Sequence, residues 1–186
     1  MKKYSIIYAD PPWDYKGQKQ HTGSKGKDTG GAVSHYSCMG LKDLKDLPVE
    51  SIAEENCLLF MWSSSPHLDQ AIELMKAWGF KYTTIAFVWD KMRVNPGYYT
   101  MSQCEICIIG KRGKIPKPRG SRNIRQLIKE KRGKHSVKPH EARIRIHKMF
   151  PCHKKAELFA RDKTYGWDVW GNEVQSDLTF PEMLNE

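Results

Sequence analysis

Asp10-Pro11-Pro12-Trp13 is the stretch of this sequence best equipped for chemistry. Asp10 supplies a carboxylate, which when ionised only accepts hydrogen bonds. Pro11 and Pro12 have carbonyls but no N–H, so the backbone between the acid and the aromatic presents acceptors alone. Trp13 adds a flat face for stacking. Acceptors beside an aromatic face suit a planar group that carries an exocyclic NH₂. The structural alternative is a stiff strand-to-loop turn with Trp13 on the surface.

The elements that must hold these residues follow from the flanking pattern. Tyr4–Ala9 is a continuous apolar run and predicts a buried strand. Two prolines cannot continue a sheet ladder, so the strand stops and Asp10 begins a turn. Strands are also predicted over 58–62, 82–89, 104–109 and 156–160, the last of them followed by Arg161. Leu68, Ala71, Ile72, Met75 and Trp78 recur at helical spacing over 67–78, with Gly79 as the stop. Ser121–Lys131 predicts a second helix, with Ile124, Leu127 and Ile128 on one face and Arg122, Arg125 and Lys129 on the other. A third spans 141–150. Residues 14–34 and 90–102 read as long polar loops, which in compact domains are usually functional or disordered.

Strands alternating with helices imply an α/β fold, a mostly parallel sheet flanked by helices. The chain of 186 residues suits a single domain over 1–186. In such sheets ligands sit beyond the carboxyl ends of the strands. Asp10–Trp13 and Arg161 both fall at such ends and could frame one cleft.

Charge is unevenly placed. Residues 111–155 hold 17 Lys/Arg against 2 Asp/Glu, whereas the remainder hold 14 against 19. A cationic surface confined to a quarter of the chain points to a polyanion, although a solvated face would look alike. The five cysteines are odd in number and scattered, which argues against a disulfide framework. Cys104 and Cys107 have metal-like spacing, and Cys152-His153 could complete a site. In a strand, however, the first two face opposite sides, so structural thiols are the better reading and no metal is expected. No apolar run approaches the ~20 residues that span a bilayer. A soluble, cytoplasmic protein is expected, with no membrane partner.

Asp10-Pro11-Pro12-Trp13 resembles the catalytic tetrapeptide of adenine-N6 methyltransferases, and further motifs are similar to those of the MT-A70 family. They are His35-Tyr36-Ser37-Cys38-Met39; Trp78-Gly79-Phe80; Trp89-Asp90-Lys91; the run from Glu105 to Gly113; His135-Ser136-Val137-Lys138-Pro139; Glu157 to Arg161; and Gly166 to Glu173. The likeness covers residues 4 to 174. The catalytic motif comes first and the cofactor motifs last, the permuted order of that family. Cys38 and Val137 depart from its pattern, at positions usually held by Thr and by a basic residue.

The resemblance implies a Rossmann-like fold with S-adenosyl-L-methionine as methyl donor and N6 of adenine as acceptor. It implies catalytic roles for Asp10, Pro11, Pro12, Trp13 and Tyr36, with Trp13 and Tyr36 holding the ring. It implies cofactor contacts at Asp10, Lys138, Glu157, Arg161, Asn172 and Glu173. Nucleic-acid contacts are expected from Lys25 and Lys27 in the first loop and from Arg122, Arg125, Lys129 and Arg132. The compact chain resembles prokaryotic or phage members, which favours DNA, in a bacterial or phage-infected cell. RNA methylation, a catalytically silent nucleic-acid-binding subunit, and a homodimer remain alternatives.

Overall fold

The structure, a computed structural model, describes residues 2–13, 39–97, 99–133 and 137–181. Its elements in chain order are β1 (Tyr4–Ala9), α1 (Leu41–Asp46), α2 (Val49–Ile52), β2 (Ala53–Ser63), α3 (Leu68–Ala77), β3 (Lys81–Asn95), β4 (Ser102–Arg112), β5 (Leu127–Lys129), α4 (His140–Met149), β6 (Lys155–Leu158) and β7 (Asp168–Trp170). The strands form one sheet in the order β5-β3-β4-β2-β1-β6-β7. Every strand but β4 points the same way: β4 runs antiparallel to both β2 and β3, and all other pairs are parallel. The expected mostly parallel, Rossmann-like sheet is therefore present, with one reversed strand.

Strand periodicity splits the core in two. On one face Ile7 and Ala9 of β1 and Leu59 and Met61 of β2 pack with Leu44, Ile52, Leu74 and Met75 of α1, α2 and α3. On the other, Ile6, Tyr8, Phe60 and Trp62 pack with Ala142 and Ile146 of α4. Both faces are covered, which is why β1 is buried along its whole length. α3 ends where the sequence placed its stop, because Gly79 takes φ 80, a region most side chains avoid.

Several sequence expectations need correction. Residues 121–131 are not a helix. Only a three-residue strand forms there, pairing Leu127, Ile128 and Lys129 with Val88, Trp89 and Asp90. Arg145 on α4 donates to the carbonyls of Arg125 and Leu127, groups that a helix would have used internally. Ile128 is buried and Ile124 packs partly buried on the same cluster, while Leu127 is exposed, so the apolar spacing did not reflect a helical stripe. The polar stretch from Asp90 is not all loop, since β3 continues to Asn95 and β4 begins at Ser102. The strand near 156–160 is not the last: β7 pairs with it at the sheet edge.

Candidate active site at the carboxyl edge of the sheet

The chain builds β2, β4, β3 and β5 on one side of β1 and β6 and β7 on the other. The direction of winding thus reverses between β1 and β6, and their carboxyl ends open the crevice where ligands of such sheets sit. Asp10–Trp13 leaves β1 at that point. Phe159–Arg161 leaves β6 beside it, and the turn Gly171–Glu173 leaves β7 one strand further out. The two ends that sequence reasoning brought together are neighbours.

Asp10 follows Tyr8 by two residues and so emerges on the α4 face. Its Oδ1 lies 2.9 Å from Lys138 Nζ. Lys138 sits just before Pro139, the residue that caps α4, and proline holds the residue before it extended. The same ammonium lies 3.2 Å from Glu105 of β4, and Glu105 lies 3.3 Å from Lys91 of β3. Glu105 and Lys91 share the α4 face because they stand two residues from Cys107 and Trp89, which pack there. Four charges of alternating sign therefore run from the centre of the sheet towards β3: Asp10, Lys138, Glu105, Lys91. The Lys138, Glu105 and Lys91 side chains are only 10%, 14% and 8% exposed. Burial works to raise the Glu105 carboxyl, but the two ammonium groups outweigh it and hold that group below the usual carboxylate range. Burial likewise opposes the charge on Lys138, yet Asp10 and Glu105 raise its pKa above the ordinary lysine value. Sequence reasoning did not single out Lys91 and Glu105 as members of this row. Their motifs were noticed, but nothing local says that two strand residues reach one lysine near 138.

Trp13 does not lie on the surface, where the structural alternative put it. It is 6% exposed and belongs to the core. Its Nε1–H donates to the Trp62 carbonyl at 3.2 Å, and its ring stacks on His67 with centroids 5.8 Å apart. His67 is buried and shares a hydrogen bond with Ser64 at 2.8 Å. The tetrapeptide is further tied by Trp13 N–H to the Pro11 carbonyl and by Met39 N–H to the Pro12 carbonyl. Trp13 thus anchors the turn that presents Asp10, with one ring face already taken.

Beneath Asp10, the Tyr8 hydroxyl accepts from Trp62 Nε1 at 2.6 Å, and the Arg143 guanidinium lies 5.4 Å from the Tyr8 ring. Arg143 engages both carboxylate oxygens of Glu157. Glu157 is buried, and its carboxylate braces α4 against β6. Arg161 and Glu173 do face each other across the ends of β6 and β7 at 3.9 Å, within attraction but beyond hydrogen-bond length. Asn172 is exposed in the same turn. A guanidinium, a carboxylate and an amide grouped there supply donors and acceptors that fit the amino-acid zwitterion and ribose hydroxyls of S-adenosylmethionine.

Tyr36, Lys25 and Lys27, and with them the first loop, lie outside the described residues. Arg122, Arg125, Lys129 and Arg132 are exposed, but they lie along an irregular edge and not on a helix face. Other cations of the basic segment point inward: Lys138 and Arg143 as above, Arg145 to Glu141, and Lys155 to the carbonyls of Pro151 and His153. Cys104 is half-buried and Cys107 buried in β4, on opposite faces.

The MT-A70 family pattern matches residues 4–173. The chain is 49% identical over 183 residues to the type II methyltransferase M.MunI of Mycoplasma sp., covering 93% of this chain and 78% of that protein. It is 26% identical to a putative N(6)-adenosine-methyltransferase MT-A70-like protein of Medicago truncatula, and 24% to the human N(6)-adenine-specific methyltransferase METTL4. It spans only 27% and 38% of those longer proteins.

Proposed function

The chain belongs to the MT-A70 family, and on that premise we propose that it transfers a methyl group from S-adenosylmethionine to N6 of adenine in DNA. Support for DNA comes from the type II methyltransferase M.MunI, which matches this chain across most of both lengths. The observation that carries the chemistry is Asp10, held at the winding-reversal point by Lys138 at 2.9 Å.

The amine of adenine is a poor nucleophile because its lone pair is delocalised into the ring. Asp10 offers that amine an ionised acceptor, kept in place by the ammonium behind it. The Pro11 and Pro12 carbonyls each already accept one backbone N–H, and each has a second lone pair for the other N6–H. Two acceptors on the two N–H groups draw the nitrogen towards tetrahedral geometry and free its lone pair. S-adenosylmethionine, when bound, would supply an electrophilic methyl group on a sulfonium, its carbon–sulfur bond breaking as the nitrogen–carbon bond forms. The proton that N6 sheds is taken at the Asp10 carboxylate. Fixed charges around a half-buried acceptor need little reorganisation as charge develops, and that positioning carries most of the barrier reduction. A base within a duplex must first leave the stack. Arg161, Asn172 and Glu173 would hold the donor at the ends of β6 and β7.

No helix among the described residues is long and apolar enough to cross a membrane. We place the reaction in the bacterial cytoplasm, where DNA and the donor meet. The test is methylation of single- and double-stranded DNA and RNA, with the product mapped by mass spectrometry. N6-methyladenine in DNA alone is expected; activity on RNA alone would refute the substrate.

A further inference from the structure

We propose that the β3–β4 hairpin is an apolar wedge that enters the duplex where the target adenine leaves it. The inference rests on the DNA reading above. Between Asp90↔Cys104 and Asn95↔Ser102 the two strands lose register, because β3 carries extra residues there. This bulge is built and held. The Asp90 carboxylate accepts both the Met92 backbone N–H at 2.8 Å and Gln103 Nε2 at 2.7 Å. Met92 sits at φ 51, a conformation uncommon for a side chain of its size. Lys91 and Met92 face opposite ways, as consecutive strand residues do. Lys91 turns inward to Glu105 and so to Lys138 and Asp10, while Met92 turns out to solvent.

Beyond the bulge the finger is narrow: a Cβ on Gly97 would stand 2.3 Å from the Thr100 carbonyl oxygen. Among its described residues, several large apolar side chains are exposed. Met92, Val94, Tyr99 and Met101 are all exposed, which is unusual for large hydrophobic side chains so close in sequence. Its flank is cationic. Arg93 is exposed on the bulge, and the backbones of Glu130 and Arg132 bond to Asp90 and Lys91, bringing exposed Lys129 and Arg132 alongside. An apolar tip beside cations suits a stacked polyanion, with base faces inside and phosphates outside.

The finger also stands in the right place. It rises from the carboxyl edge that carries Asp10, with β4 two strands and β3 three strands from β1, on the order of 10–15 Å by ordinary strand spacing. That separation lets one molecule hold an extruded base at Asp10 while the hairpin fills the space it left.

The test uses the full chain and Met92→Ser/Tyr99→Ala/Met101→Ser, with three forms of one DNA oligonucleotide that the wild type methylates. In the single strand there is no stack to open, and turnover by the variant should match wild type. In the duplex it should fall about 10–100-fold, because the wedge no longer offsets unstacking. Placing an abasic site opposite the target adenine should restore it. An equal loss on all three forms, or none on the duplex, would overturn the wedge. So would loss of a dimer in sedimentation with the duplex-to-single-strand ratio unchanged, which would assign the hairpin to a second copy. Absence of any wild-type methylation of DNA would instead fail the substrate reading, and the wedge with it.

Discussion

Glu105→Gln removes the charge at the middle of the buried row while keeping shape and one acceptor oxygen. Glu105 lies 3.2 Å from Lys138 and 3.3 Å from Lys91. With an effective dielectric of ~20, each contact is worth about 5 kcal/mol of Coulomb attraction, much of it offset by the desolvation of three ions. The row carries no net charge in the wild type and one buried positive charge in the variant. Removing one member of a buried pair typically costs ~3–5 kcal/mol, and the isosteric amide favours the lower end. A loss of ~3 kcal/mol corresponds to roughly 6–12 °C in Tm for a domain of this size. The pH dependence has a definite sign. Glu105 is held below its ordinary value of 4.5, so its contribution is complete above that pH and is lost as pH falls through the lower folded value. Wild type and variant should therefore differ most near neutrality and converge in acid. Adding Lys91→Met to the variant should cost little or restore stability, because the ion it removes has lost its partner. Denaturant titrations from pH 7 to pH 3 provide the measurement. A difference under about 1 kcal/mol, the range of exposed pairs, or two parallel curves, would show that the row is not coupled as described.

Asp10→Ala should lower methyl transfer by at least ~10²–10⁴ while calorimetry still detects S-adenosylmethionine, because the acceptor for the amine is lost and the donor site is not. Arg161→Ala and Asn172→Ala should raise KM for S-adenosylmethionine more than they weaken DNA binding in a gel-shift titration; equal effects on both would contradict the division of labour. Reversing Arg122, Arg125, Lys129 and Arg132 to Glu should flatten the dependence of log K on log salt by about 0.9 per lost contact on duplex and about 0.7 on single strands. It should do so for all sequences alike, since phosphates carry no sequence information. An unchanged slope would make this edge a merely solvated one.

Elements buried on both faces were legible in the sequence, because burial there leaves an unbroken apolar run. β1 and the centre of β2 are such elements, and α3 announced itself by spacing and by its glycine stop. Residues 121–131 failed because buried Ile128 and partly buried Ile124, which pack on the same cluster, met by chance the spacing of a helical stripe. What decides the segment is Arg145, far along the chain, bonding the backbone that a helix would have closed on itself. β7 is three residues long and pairs on only one side, so it needs no long apolar run and left none to read.

The site was half legible for a related reason. Residue types singled out Asp10, and strand ends foretold where it would stand. Partnership could not be foretold, because the partners come from β3, β4 and the approach to α4, up to 128 residues away. The same geometry changes what the basic segment means. Its positive charge looked like one surface, yet Lys138, Arg143, Arg145 and Lys155 are turned inward to carboxylates and carbonyls. Lys138 compensates the acid at the centre of the crevice, and Arg143 compensates the buried Glu157 beneath it. What remains for a polyanion is the exposed edge from Arg122 to Arg132. Its far end runs alongside the bulge that holds Lys91 inward and Met92 outward. The proposed phosphate contact, the proposed entry into the stack and the setting of Asp10 would thereby share one short length of β3, so that a shift of the bulge would be felt at all three.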